Sequence, residues 1–334
     1  MFSTYLLLII CIIIIYYSCE LFVNAIEWVG VKFNVSQCAV GTILAAIGTA
    51  LPESVVTFVA VAFNSSSQQK DIGIGAALGG PLVLGTIAYA VVGFSIIYYR
   101  KKRKSGMKMD IDRKNLSRDQ LWFISIFFFK VLLGLLVFSI KPLMAFLFLI
   151  AYGFYFFREM RAECVEECLR LNPLKFQPKK QEPSTFLVLA QTIFALILIF
   201  SSSHLFVKNL ELISSYWEIS PLIVSLLLSP IATELPEILN AVIWVKQGKE
   251  TLALGNISGS MMIQATVPSA FGIFFTPWLF DAHLLWAGIV TLIAVSYLLI
   301  TLKRNKFNPV HLVYSVLFYL LFAMIFLLKS PPTW

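Results

Sequence analysis

The sequence predicts an all-α membrane protein: ten transmembrane helices in two inverted five-helix repeats, with both termini outside. Three observations carry this. Of 334 residues, 59% are hydrophobic and only 13% charged, about half the charged share of a soluble domain, and mean hydropathy is +0.84. The basic residues are distributed unevenly between alternate loops. The second half of the chain repeats the first in register.

The apolar residues fall into ten runs, at 3–23, 36–62, 73–98, 121–140, 142–157, 186–206, 219–245, 251–275, 283–302 and 309–328. A spanning helix needs roughly 20 residues. Continuous runs without strict alternation favour helices over a barrel, the other structure that satisfies its backbone in lipid. Residues 3–18 lack a basic flank and a small-residue cleavage site, so they read as a retained first helix rather than a signal peptide.

Net charge is +8, and its placement argues for orientation rather than for a nucleic-acid partner. With the N-terminus outside, the inside loops 24–35, 99–120, 158–185, 246–250 and 303–308 hold 21 of the 26 Lys and Arg. Outside segments hold four, and Lys130 lies within a span. This is the positive-inside bias. The inside loops would face anionic headgroups of the bilayer. Cys164 and Cys168, in "ECVEECLR", read as reduced thiols on a short inner helix.

Shifted by 184 residues, Leu21–Glu53 ("LFVNAIEWVGVKFNVSQCAVGTILAAIGTALPE") aligns without a gap on Leu205–Glu237 ("LFVKNLELISSYWEISPLIVSLLLSPIATELPE"), matching at twelve of 33 positions. Glu27 with Glu211, Thr49 with Thr233 and the two Leu-Pro-Glu triplets are among the matches. A second block pairs "GAALGGPLVLGT" from Gly75 with "GNISGSMMIQAT" from Gly255. The predicted organisation is a first five-helix repeat at 1–157 (ion-site motif 41–86), an inner linker at 158–185 and a second repeat at 186–334 (ion-site motif 225–266). Five is odd, so the halves enter the membrane in opposite directions. Inverted repeats with polar, interrupted helices at matching positions point to a secondary transporter with its site at the midplane.

Of 18 acidic residues, only Glu53, Glu234 and Glu237 lie deep in a predicted span. A charge there costs about 2.5–3.5 kcal/mol or more on insertion scales and so calls for a partner. Pro52 and Pro236 stand just before two of these acids. A proline within a helix cannot donate to the carbonyl four residues earlier, which frees those of Gly48 and Ala232; Pro230 frees that of Leu226 in the same way. With the Thr49 and Thr233 hydroxyls and the carboxylates, these oxygens form a set of hard donors suited to Na⁺ or Ca²⁺. No His or Cys joins the motif, which argues against zinc or copper.

"GTALPES" and "ATELPEI", each followed by a glycine-spaced helix, resemble the two α-repeats of the sodium/calcium exchanger superfamily of cation/Ca²⁺ antiporters. The resemblance covers both halves. It implies that Glu53 and Glu237 bind the transported ions, Ca²⁺ and Na⁺ or H⁺, beside Thr49 and Thr233, and that the first and sixth helices slide past the other eight. It also implies a carrier without cofactors, in the cell membrane. Ser260 and Gln264 stand where the family has Ser and Asn or Asp. Their first-repeat counterparts, Gly80 and Leu84, offer no side-chain oxygen. Ala50 replaces the family's Ser, and Glu234 takes the corresponding place in the second repeat.

Three ionised carboxylates around one divalent cation leave a net charge of −1, and like charges raise each other's pKa. A retained proton, with H⁺ as counter-ion, is therefore an alternative to Na⁺/Ca²⁺ exchange. An intramembrane enzyme using paired carboxylates is a reading of a different class, as is a channel or non-transporting homologue. Lys130, in "FFFKVLLG", is either a tethered cation paired with a site carboxylate and replacing one ion, or a side chain snorkelling to an interface. "GIGAALGG" from Gly73 has the wrong spacing for a dinucleotide loop. Trp278 and Trp286 are expected at a membrane interface.

Overall fold

The computed structural model describes residues 2–36, 39–63, 67–103, 105–109, 111–161, 171–216, 224–304 and 307–329. Several side chains inside its helices, those of residues 51–53 among them, lie outside this described set, as do Cys164 and Cys168. All regular structure among the described residues is helical.

Helix α1 spans Phe2–Lys32 and α2 spans Ala46–Ala62 behind a π-helical turn at Val40–Ala45. α3 (Ser67–Val83) passes through a second π turn, Leu84–Ala88, into α4 (Tyr89–Tyr99). α5 is Arg113–Leu135, α6 is Met144–Met160 and α7 is Thr185–Tyr216. A third π turn, Val224–Leu228, leads into α8 (Ser229–Thr233) and α9 (Leu235–Lys246). α10 (Glu250–Phe275), α11 (Ala282–Leu302), α12 (Pro309–Val313) and α13 (Val316–Lys329) complete the chain. The π turns at Val40–Ala45 and Val224–Leu228 stand at positions related by the same 184-residue shift. So do the bounds of α1 and α7, to within one residue.

Among the described residues seven rods are long and apolar enough to cross a membrane, and eight if α8 and α9 are joined with their preceding turn into one bent span. α2, at 17 residues, falls short, and α5 carries Arg118, Asp119 and Lys130. The first rod is longer than its predicted span. Residues 24–32, expected in an inner loop, continue α1 because their polar side chains find partners in the linker. Trp28 Nε1 donates to the Asn172 carbonyl at 2.9 Å, and Asn24 Nδ2 to that of Pro173 at 3.2 Å.

Burial separates centre from edge. In α10 83% of the most apolar window is inside the protein, and in the α3–α4 rod 78%, against 33% in both α1 and α7. α1 and α7 pack chiefly on each other, while α10 touches α2, α3, α5, α6 and α9. Small residues set these approaches. A methyl group on Gly259 of α10 would collide with the Thr42 carbonyl and reach 2.8 Å from Ala46 Cβ, and one on Gly79 of α3 would lie 2.5 Å from Pro230 Cγ. The two contacts are counterparts: the repeat shifts carry Gly79 onto Gly259 and Ala46 onto Pro230. Glycine at such points lets membrane helices meet backbone to backbone.

Trp278 does not face lipid: it is fully buried, its ring lies over Gly272, and its Nε1 donates to the Lys130 carbonyl at 3.3 Å. At the predicted inner end, buried ion pairs tie segments together. Glu27 accepts from Lys249 Nζ at 2.5 Å and from Trp244 Nε1 at 2.9 Å. Arg103 pairs with Glu250, and Arg118 with Glu159.

Candidate functional site

The site is built around a break. Pro230 and Pro236 flank Glu234, where α8 stops and α9 starts. The two segments, taken from Leu226 and to Lys246, meet at a bend of 48°. Glu234 adopts φ −81°, ψ 2°, the bridge region where turn and active-site residues gather. Its N–H donates to the Pro230 carbonyl at 3.1 Å. Glu237 lies in the first turn of α9, where the helix dipole favours a negative charge. Both glutamates are fully buried. Ala232, one turn before Pro236, is buried as well.

α10 supplies the opposite wall. Gln264 Nε2 donates to Glu234 Oε1 at 2.6 Å, and Ser260 stands one turn earlier, fully buried. The third wall is Gly80 of α3. A methyl group there would sit 2.6 Å from Glu234 Oε1 and collide with Gln264 Oε1. The position without a side chain in the first repeat is thus the socket that receives the carboxylate and the carboxamide of the second. Leu84, its neighbour in the motif, is buried in the π turn and adds no oxygen.

Thr49 and Thr233 behave alike. Thr49 Oγ1 donates to the Ala45 carbonyl at 3.1 Å, and Thr233 Oγ1 to the Pro230 carbonyl at 3.2 Å. Each hydroxyl spends its proton on its own helix, which leaves its lone pairs to accept or to coordinate. Gly48 lies in α2 against α1 and α7: a methyl on it would approach Phe22 to 2.9 Å and Leu196 to 3.2 Å. Glu53 follows Thr49 by four residues in α2, and its side chain lies outside the described residues. Among the described residues no three His, Cys, Asp or Glu stand close enough to hold a metal together.

Two residues extend the polar surface beyond those the sequence singled out. Asn240 follows Glu237 by three residues and Asn256 precedes Ser260 by four; both are fully buried. Among the described residues the Asn240 and Asn256 carboxamides and the Ser260 hydroxyl have no hydrogen-bond partner. Asn256, Ser260 and Gln264 share one face of α10 at a spacing of four. An amide inside a span, one turn from an already suspected residue, was the signal. Buried polar groups without partners are expensive in a protein interior, so this strip is suited to water or to an ion in transit.

A family model described as sodium/calcium exchanger protein matches residues 3–160 and 187–328, leaving out most of the inner linker. Inner membrane protein YrbG of Escherichia coli (strain K12) is 25% identical over 304 residues, 90% of this chain and 89% of that protein. CaxA of Alkalimonas amylolytica, named as a proposed antiporter, is 25% identical over 306 residues, 88% of this chain and 89% of its own. A solved structure of the sodium-calcium exchanger NCX_Mj, soaked with 2.5 mM Na⁺ and 1 mM Sr²⁺, superposes with a TM-score of 0.73 at 24% identity, covering 96% of this chain and 97% of that one. At that identity the likeness is one of fold.

Proposed function

This chain belongs to the sodium/calcium exchanger protein family, and on that premise we propose that it is a secondary active antiporter exchanging Ca²⁺ against Na⁺ by alternating access at one mid-membrane carboxylate site. The observation that carries the reading is the broken rod: Glu234 and Glu237, both fully buried, beside the Ser260–Gln264 face of the most deeply buried helix. In our reading Glu53 completes the acids from the first repeat. The Thr49 and Thr233 hydroxyls, Ser260, Gln264 and the carbonyls of Gly48 and Ala232 supply neutral oxygens. Ten spans divide as 1–157, 158–185 and 186–334, with both termini outside and the protein in the cell membrane.

Competition for the site is the coupling. Empty, the carboxylates are unneutralised charge in a medium of low dielectric, and moving them across the barrier is costly. Loaded with Ca²⁺, or with enough monovalent cations, the site approaches neutrality and the carrier can change sides. α1 and α7, matched in length to within one residue, peripheral and packed on each other, are the elements best disposed to slide against the rest.

A second reading, Ca²⁺/H⁺ exchange, is favoured by one feature: Glu234 adds a carboxylate to the pair that the motif supplies. Flux into proteoliposomes separates the two. Ca²⁺ uptake driven by an outward Na⁺ gradient and indifferent to a pH gradient supports the first; the reverse supports the second. Failure of labelled Ca²⁺ to show counterflow against unlabelled Ca²⁺ sinks both, because a pore or an inactive homologue lacks it and a carrier does not.

A further inference from the structure

Lys130 lies five residues before the end of α5 with its side chain wholly buried, so it does not snorkel. Its ammonium donates to the Ala77 carbonyl of α3 at 2.6 Å and to the Gln264 carbonyl of α10 at 3.4 Å. The ring of Phe127 lies 4.9 Å from Nζ and that of Trp278 lies 6.0 Å from it. No ion pair to a described carboxylate forms within 4.0 Å.

The two carbonyls are not arbitrary. Pro81 follows Ala77 by four residues, and Pro268 follows Gln264 by four; both prolines lie inside their helices. A proline has no N–H for the carbonyl one turn back. Lys130 therefore reaches the carbonyl that each proline leaves without a main-chain donor, one on each of the two central rods; that of Gln264 also accepts from Ser269 Oγ at 3.3 Å. Two such oxygens and two aromatic faces make a place for a small cation. Gln264 joins this place to the candidate site, because its main chain holds the ammonium while its side chain holds Glu234.

We propose that Lys130 is a resident monovalent cation: its ammonium fills a cation position between α3 and α10, so the loaded carrier binds one free monovalent cation fewer than its oxygen set would otherwise take. The proposal rests on the transport reading above and gives Glu234 a counterpart, a fixed positive charge retained where an additional carboxylate is present. Lys130 is a positioning residue here, acting on the ions through Gln264. The rival role is a plain staple across two proline kinks.

The test uses full-length K130A, in which the vacated volume can admit an inorganic cation. In detergent, its thermal stability is compared in choline, Na⁺ and K⁺ chlorides at equal ionic strength. In proteoliposomes, Ca²⁺/Ca²⁺ counterflow is followed with the same salts equal on both sides. The expected result is a variant that melts below wild type in choline and recovers saturably in Na⁺ or K⁺. Its counterflow would be lost in choline and restored by the same ion, while wild type works in choline. A variant that melts equally early, or fails to fold, in every salt overturns the proposal, as does one whose counterflow persists in choline. If wild type itself shows no counterflow, the transport reading fails, and the melting series alone still decides for or against a cation position.

Discussion

Gly80 of α3 and Glu234 at the α8–α9 break are in direct apposition: the glycine has no side chain where the carboxylate lies, and a single added methyl group would come within 2.6 Å of Oε1. The relationship turns two apparent departures from the family pattern into one. A small residue on one repeat and a large acid on the other fill a shared volume.

G80A or G80S is therefore expected to damage the site by crowding. Overpacking typically costs about 1–3 kcal/mol, and here it falls on the Glu234–Gln264 hydrogen bond. Ca²⁺ uptake by either single variant should drop sharply. Adding E234A to G80S removes one of the two crowded groups and frees the other, the Gln264 carboxamide, to move aside, so the two changes should be strongly non-additive in a double-mutant cycle of melting temperatures. Additive effects would mean that the two residues do not share space.

Glu53→Gln and Glu237→Gln are each expected to abolish Ca²⁺ exchange while leaving a folded protein. The substitution keeps the size and removes the charge that competing cations share. Reconstituted flux and size-exclusion chromatography check the two halves of the statement. Exchange at wild-type rate in E237Q would remove the carboxylate from the site.

Gln264→Leu should weaken Ca²⁺ binding. A hydrogen bond to a charged group is worth about 1.5–3 kcal/mol, so the KM for Ca²⁺ is expected to rise roughly 10- to 100-fold. S260A, which removes a hydroxyl but no bond to Glu234, should have the smaller effect. Equal KM values in wild type and Q264L would show that the hydrogen bond from Gln264 to Glu234 takes no part in holding the ion.

Glu27 and Lys249 should reveal themselves as structure rather than site. Both are buried, and Glu27 also holds Trp244. Removing one partner of a buried ion pair costs about 3–5 kcal/mol, so E27L should melt markedly early in detergent. The double variant E27L/K249M, which leaves no unpaired charge, is expected to recover much of that loss. Equal melting temperatures for E27L and wild type would contradict the pairing.

Much of this protein was legible from local chemistry. Apolar runs fall where helices form, because a lipid-facing backbone has no other open-ended way to bond itself. Prolines beside acids marked the break at Glu234, because a missing N–H acts within one turn of its own helix. The matching π turns at Val40–Ala45 and Val224–Leu228 had no such signature and were not foreseen. The extent of α1 was underestimated, since polar residues that read as loop were answered by the Asn172 and Pro173 carbonyls.

By itself, then, the sequence determined where the apolar helices lie, though not their ends, and which acids and prolines recur at a fixed shift. Only the tertiary structure decided that Gly80 is a socket rather than a loss, and that Lys130 faces inward. Its two acceptors lie 53 and 134 residues away along the chain. Periodicity and local bonding act over a few residues. Which rods meet, and what fills the space between them, is settled by packing across the whole molecule, where one methyl group or one freed carbonyl chooses the partner.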